Sequence, residues 1–421
     1  MALDIPPLYC PIPGAVNPHV REINTRGLTW ISQFGIFDGL ADSVWAHYVD
    51  SYPGLLPAVV MPRAPKGPAL QAAANLLFWL WAFDDLACDE IPTGQPADDQ
   101  ILLLCDLARA AETRSCDPAN PFAAALRDLH RQFEAVATPT QVARWASAMQ
   151  PYFLANTAIA VHQARETITD LDSYVAQRIH SGAVKPTLVT LDVADGYELP
   201  TAQLERPDVA ALSEMVCTIV GWDNDLMTYH KETVKGGADH NLVTVLAESR
   251  SLSAAAAVAE ALAMRDRVLC LFLRLRDQIA ADASTELRRY VGGLEAWIRG
   301  HLDWGIETAR YRNPADPAAR LYSYADRPST TDPSPLPIPT ITWWWEQLRP
   351  RSATATRWRT WRTRQRTSPS VSAGAGSSTS WRAGSSTPKA RSSGPARPRS
   401  WPTEGCITPS SPAATLTQEK K

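Results

Sequence analysis

The chain has 421 residues, with 41 Lys and Arg against 44 Asp and Glu, so its formal net charge is only −3. That balance conceals two unlike pieces: Met1 to Leu348 hold 27 basic and 42 acidic residues, a net −15, whereas Arg349 to Lys421 hold 14 and 2, a net +12. Seven cysteines without a Cys-x-x-Cys pair argue for reduced thiols in a cytoplasmic protein and against a disulfide framework, and the N-terminus has no basic segment leading into a continuous apolar stretch, so neither export nor a membrane span is expected.

The first piece is long enough for a large core, and its Ala-, Leu- and Val-rich segments read as helices in order along the chain. The first runs from Ala69 to Leu86 and ends in Asp84-Asp85, with Asp89-Glu90 just beyond. A buried helix there delivers carboxylates to the edge of an apolar space, where they would repel one another without a cation. Further helices are expected over Asp98 to Thr113, Pro121 to Ala135, Pro139 to Ala164, Asp170 to Ser181, Val209 to Tyr229, Ala254 to Asp282 and Ser284 to Trp304. No regular alternation of strands and turns interrupts them, so an all-α bundle is the expected fold class.

The Val209 to Tyr229 helix carries Asn224 and Thr228 and points on to Glu232, spaced by four and four. At 3.6 residues per turn these side chains leave one face, with about 40° of drift per step. An amide oxygen, a hydroxyl and a carboxylate are hard donors that suit Mg²⁺ better than zinc. Either cluster alone could be a solvated helix end; their conjunction carries the information.

Together the two clusters resemble the signature of the class I terpene synthases of bacterial type. The family's aspartate-rich motif matches Asp84-Asp85-Leu86-Ala87-Cys88-Asp89, in a longer-spaced variant, and its Asn/Asp-Asp-Leu-x-Ser/Thr-x-x-x-Glu motif matches Asn224 to Glu232. A diphosphate-sensing arginine stands 46 residues before the motif asparagine in that family, and here that position is Arg178. Arg310-Tyr311, Asn17-Pro18-His19 and Asn241-Leu242-Val243 extend the resemblance over roughly residues 8 to 315.

The resemblance implies a helical bundle around a deep apolar pocket, three Mg²⁺ ions, and ionisation and cyclisation of a linear prenyl diphosphate with release of diphosphate. Asp84, with Asp89, would serve the first metal cluster, and Asn224, Thr228 and Glu232 would hold the third ion. Asp85 would pair with an arginine such as Arg310 once the site closes. Arg178, Lys231, Arg310 and Tyr311 would donate to the diphosphate, and Gly182 would permit a helix break that moves when Arg178 senses it. A carbocation needs aromatic faces that offer no nucleophile, so Trp79, Trp81, Phe83, Trp297 and Trp304 are candidate walls, with Trp81 and Trp304 preferred and Trp297 third.

Farnesyl diphosphate is the expected substrate, geranylgeranyl diphosphate the alternative and a C10 diphosphate the lesser one. A chain-elongating prenyltransferase would carry two aspartate-rich motifs, a protonation-dependent cyclase an Asp-x-Asp-Asp motif, and a non-enzymatic helical adaptor would release no diphosphate. Homodimer formation is compatible with the sequence. The catalytic domain is expected over 1–325. Residues 326–421 form a Pro-, Arg-, Ser- and Thr-rich tail, read as disordered or as an out-of-frame translation, and nucleic acid is not an expected partner.

Overall fold

In the computed structural model, residues 5–88, 97–113, 119–235, 240–311 and 322–348 are described, without the side chains of 231, 234, 235 and 309. The chain divides into a unit spanning Met1–Ala355 and one spanning Thr356–Lys421, and the second lies outside the described residues. The helices are α1 (Val20–Ser32), α2 (Asp42–Asp50), α3 (Leu55–Val60), α4 (Pro68–Phe83), α5 (Asp98–Thr113), α6 (Pro121–Val136), α7 (Pro139–Arg165) and α8 (Leu171–Ser181). They continue with α9 (Val184–Leu188), α10 (Leu191–Ala194), α11 (Thr201–Leu204), α12 (Pro207–Lys235), α13 (Leu242–Arg250), α14 (Ala254–Ala280), α15 (Thr285–Glu307) and α16 (Pro339–Glu346). Two short strands, β1 (Leu8–Tyr9) and β2 (Tyr324–Ala325), pair in parallel with Leu8 opposite Tyr324.

Local chemistry fixes many of the helix ends. Thr138 and Gln141 form a reciprocal capping box ahead of α7, with Pro139 in the first turn, where its missing N–H is harmless. Asn120, Asp170, Ser253 and Ser284 each accept from a backbone N–H three residues on, opening α6, α8, α14 and α15. These caps explain why the starts of the long helices are legible in the sequence.

Helix α4 is the centre of the bundle. Every residue from Ala72 to Phe83 is buried, the pattern of a helix surrounded on all sides, and α1, α3, α6, α9 and α10 pack around it. The polar Asn75 within this run accepts from Gln71 at 2.9 Å and donates to Gln132 at 2.9 Å, which makes its burial tolerable. Helix α3 lies against α15 at Gly300, where a Cβ would stand 2.6 Å from the Val59 carbonyl oxygen. Gly300→Ala should therefore cost about 1–3 kcal/mol by forcing two backbones apart; an unchanged melting temperature would show that the contact yields freely.

A buried ion cluster ties β1 and the segment after β2 to the bundle. Arg265 on α14 is fully buried and donates to Asp223 through Nε at 2.8 Å and a terminal nitrogen at 3.2 Å, and to Asp266 at 2.9 Å. It also donates to the carbonyl of Tyr9 in β1, while Asp266 accepts from the backbone of Ser329 at 2.6 Å. Asn17 plays a similar part near the start, donating from its side chain to the carbonyls of Met61 at 3.0 Å and Ala64 at 2.9 Å.

The domain end expected at residue 325 needs correction, because packing continues through α16. Leu336, Ile338, Ile341 and Trp344 are buried; Trp344 donates to Glu214 on α12 at 2.9 Å, and the Thr340 backbone donates to Asp172 on α8 at 2.8 Å. Apolar residues dispersed among prolines give no periodic signal, yet they cap the bundle. Residues 349–421 lie outside the described residues. No helix among the described residues is long and apolar enough to cross a membrane, and Cys10, Cys88, Cys105, Cys217 and Cys270 are free thiols.

Candidate active site

At the end of α4 the helix widens into a π turn, Asp84–Cys88, a distortion found mostly at functional sites. Asp84 and Asp85 begin that turn. Arg310 reaches both, lying 2.6 Å from Asp85 and 3.4 Å from Asp84, while Trp81, one helical turn earlier, donates from its indole nitrogen to Asp85 at 2.7 Å. Asp85 is thus paired with Arg310 here. Asp89 lies outside the described residues.

The second cluster projects from α12. Asn224 accepts from Arg178 at 2.8 Å and donates to the Tyr311 hydroxyl at 2.8 Å. Thr228 donates to the Asn224 carbonyl at 3.0 Å, and Glu232 accepts from the Asn241 amide at 2.9 Å. The adjacent Asp225 shares Arg178 with Asn224. It lies 2.7 Å from Arg178, accepts from the Leu242 backbone at 3.0 Å, and accepts from Tyr174. Lys231 lies on α12, but its side chain is outside the described residues.

Arg178 is held tightly. It donates to the Gly221 carbonyl at 3.1 Å, and a Cβ at Gly221 would crowd its side chain at 3.2 Å. Burial opposes its charge, but Asp225, Tyr174, Glu232 and Asp84 overcome that and raise its pKa above the usual arginine value. The helix carrying it breaks where the sequence predicts, although the residue in the left-handed region is Ala183, at φ 58°, and not Gly182, at φ −69°. Gly182 therefore does not supply the expected backbone freedom. A non-glycine residue there carries a strain of about 1–2 kcal/mol, and strain of this kind concentrates at functional breaks.

Arg310 and Tyr311 link the two clusters. They lie in a short 3₁₀ turn, Ala309–Tyr311, after α15 has ended at Glu307, so Arg310 and Trp304 stand on separate elements. Thr308 stops the helix by turning extended and donating to the Ser51 carbonyl at 3.0 Å. Burial pushes the Tyr311 phenol up to about 12, so it stays protonated as a donor. The chain neighbours Arg310 and Tyr311 then join two polar groups into one path, Asp84 and Asp85 on the Arg310 side and Asn224, Arg178 and Asp225 on the Tyr311 side.

Aromatic rings adjoin this path. Trp81 meets Trp304 edge to face at 5.1 Å between centroids, Trp304 meets Tyr311 at 5.4 Å, and the Arg310 guanidinium lies 5.5 Å from the Trp81 ring centre. Tyr48 joins them, 5.4 Å from Trp81, with its hydroxyl donating to the Phe78 carbonyl at 2.9 Å. Trp297 is buried on the Trp304 side of α15, seven residues earlier. Trp79 and Phe83 do not join this group. They stack on each other at 4.9 Å in a second cluster with Phe122 and Phe153, on the face of α4 turned away from Trp81. Tyr48, Tyr174, Asp225 and Asn241 escape sequence reasoning as site residues, because their partners come from distant segments.

An all-helical bundle with an aspartate-ended central helix, a facing Asn-Thr-Glu stripe and an arginine bound to its asparagine is the architecture of a class I terpene synthase. Residues 75–269 match the model of terpene synthase family 2, C-terminal metal binding. The chain is 35% identical over 328 residues to (+)-(1(10)E,4E,6S,7R)-germacradien-6-ol synthase of Streptomyces pratensis, covering 77% of this chain and 91% of that one. It is also 35% identical over 320 residues to (+)-T-muurolol synthase ((2E,6E)-farnesyl diphosphate cyclizing) of Streptomyces clavuligerus, covering 74% and 75%. The crystal structure of the SVS_A2 protein from ancestral sequence reconstruction superposes with a TM-score of 0.73 at 33% identity, over 82% of this chain and 99% of that one. The chain belongs to the bacterial terpene synthases, and it is a metal-binding lyase of that family.

Proposed function

We propose that the protein ionises farnesyl diphosphate with Mg²⁺ and cyclises the resulting cation to a sesquiterpene. The observation that carries this reading is the polar path in which Arg310 and Tyr311 tie Asp84 and Asp85 to Asn224 and Arg178. The two oxygen-rich clusters thereby share one set of cationic and hydroxyl donors, as a single diphosphate requires. The relative from Streptomyces clavuligerus, which cyclises (2E,6E)-farnesyl diphosphate by name, supports the C15 substrate.

The donor set fits magnesium: carboxylate oxygens at Asp84, and an amide, a hydroxyl and a carboxylate oxygen at Asn224, Thr228 and Glu232. Asp89 remains a candidate partner of Asp84, and three ions are expected. When bound, Mg²⁺ neutralises charge developing on the leaving diphosphate. Asn241 orients Glu232, while Asp225, already engaged by Arg178, Tyr174 and a backbone N–H, is reserved for positioning the arginine. Arg178 and Arg310 hold the diphosphate through planar, always-charged guanidinium groups. Lys231 and Tyr311 add donors, and the left-handed turn at Ala183 is the joint through which Arg178 can follow the anion.

The cation left behind meets aromatic rings. Trp81 and Trp304, with Trp297 behind them, offer π-faces. Trp81→Phe should then redistribute products while substrate consumption continues, and unchanged product ratios with a melting point lowered by about 1–2 kcal/mol of stability would make Trp81 core only.

The reading is tested by incubating the full chain with farnesyl, geranylgeranyl and geranyl diphosphate, with Mg²⁺ and with chelator, and measuring diphosphate release and hydrocarbon or alcohol products by mass spectrometry. Farnesyl diphosphate should be consumed fastest and only with the metal. Preference for geranylgeranyl diphosphate would replace the substrate; metal-independent release would overturn the mechanism.

A further inference from the structure

Along α15, Trp297, His301 and Trp304 recur at positions i, i+4 and i+7, so they share one face of the helix. The polar path and the metal motifs do not use His301. Its ring centre lies 5.9 Å from that of Trp304, which in turn touches Trp81 and Tyr311, so the imidazole borders the aromatic group that faces the cation. It is 4% exposed, and its Nδ1 makes no hydrogen bond; the indole nitrogen of Trp304, one turn on, has none either. Buried polar atoms are nearly always satisfied. With the ring hydrogen on Nε2, Nδ1 is an acceptor, so an acceptor and a donor stand without partners on successive turns beside this aromatic group.

We propose that His301 accepts the proton whose loss ends the reaction. With the ring hydrogen on Nε2, the lone pair on Nδ1 is available. A C–H bond beside the cationic carbon breaks, its electron pair becomes the new double bond, and the proton bonds to Nδ1. Where water quenches the cation, its oxygen bonds to carbon and the proton that it sheds goes to the same nitrogen. The imidazolium then passes its proton to the diphosphate released in the first step, which restores the neutral ring.

Electrostatics favour this order of events. Burial, followed by the positive charges of Arg178 and Arg310, pushes the imidazole down to about 3, so the ring enters the reaction neutral and with its lone pair intact. Such a weak base does not compete for protons in the resting enzyme, yet a C–H beside a carbocation is acidic enough to protonate it. Once an anionic diphosphate engages the two arginines, their repulsion of an imidazolium falls, so the ring becomes a better acceptor only after substrate has bound.

The proposal rests on the reading of the site as one that ionises a prenyl diphosphate, and two readouts keep them apart: diphosphate release reports ionisation, and product ratio reports His301. His301→Phe keeps an aromatic ring without a nitrogen, and His301→Gln keeps a polar acceptor that is not a base. Both should be compared with wild type on farnesyl diphosphate in H₂¹⁸O, with folding checked by circular dichroism. We expect diphosphate release within about threefold of wild type, and a fall of about tenfold or more in the share of the main wild-type product, at the lower end of what a positioned base contributes. Label in the main product identifies water as the proton source, and its absence identifies carbon. Wild-type product ratios in either folded variant would overturn the proposal. So would a change in His301→Phe that His301→Gln reverses, which would make the role polar contact alone, or a folded variant that releases no diphosphate, which would move His301 to ionisation. Loss of release in the wild type itself would instead defeat the underlying reading.

Discussion

Asp84→Ala should lower turnover by about a hundredfold or more, as should Asn224→Ala, because electrostatic stabilisation of a leaving group commonly has that size. Neither change should unfold the protein. Asp84 shares Arg310 with Asp85, which lies closer, at 2.6 Å against 3.4 Å, so the arginine keeps a partner in Asp84→Ala. In Asn224→Ala, Arg178 keeps Asp225 at 2.7 Å and the Gly221 carbonyl at 3.1 Å. The loss should therefore lie in metal binding and be partly relieved by raising Mg²⁺. Rates measured from limiting to saturating Mg²⁺, with helicity followed on the same samples, check this. Near-wild-type rates at limiting Mg²⁺ in both variants would remove the two-cluster metal assignment.

The contrast between the two variants adds information. Asn224 also bridges Arg178 to Tyr311, so its removal should weaken the affinity for free diphosphate more than removal of Asp84 does. An anion competing for the site would expose that difference without any turnover.

What the sequence reveals and conceals about this site follows from the range of the interactions. The stripe of Asn224, Thr228 and Glu232 is visible because helical spacing is local, and the long helices are visible because their periodicity and caps are local too. Helices α9, α10 and α11 are only four or five residues long, too short for a periodic signal. Trp79 and Trp81 look alike in sequence. Two residues apart on a helix, they point about 200° from one another, so Trp81 meets Asp85 and Trp304 while Trp79 packs against Phe83 and Phe122. Asp225 beside Asn224 is a harder case: both could serve a metal by chemistry, and only Tyr174 and the Leu242 backbone, 51 and 17 residues away, commit Asp225 to a different role. The break after α8 shows the limit of residue-type reasoning, since glycine marks the place and alanine takes the left-handed turn.

Arg265→Met should be the most destabilising single change in the bundle, at about 3–5 kcal/mol, the range for removing one partner of a buried ion pair. The guanidinium is the centre of a fully buried cluster, and its loss leaves Asp223 and Asp266 without the cation at 2.8 and 2.9 Å that balances them. It also removes a donor from the Tyr9 carbonyl in β1. Burial already pushes the Asp223 carboxyl upward, with Arg265 opposing that push. Without the arginine, Asp223 should be driven to its neutral form, and the remaining stability should rise as the pH is lowered through its raised folded pKa, since a group with a raised folded pKa stabilises the protein only while protonated. A double variant, Arg265→Met with Asp223→Leu, buries neither ion of the main pair and should recover part of the loss. Urea denaturation of the three proteins decides it. A loss below about 1 kcal/mol in Arg265→Met would show that the two aspartates find other partners, and the cluster would then be incidental to the stability of the fold.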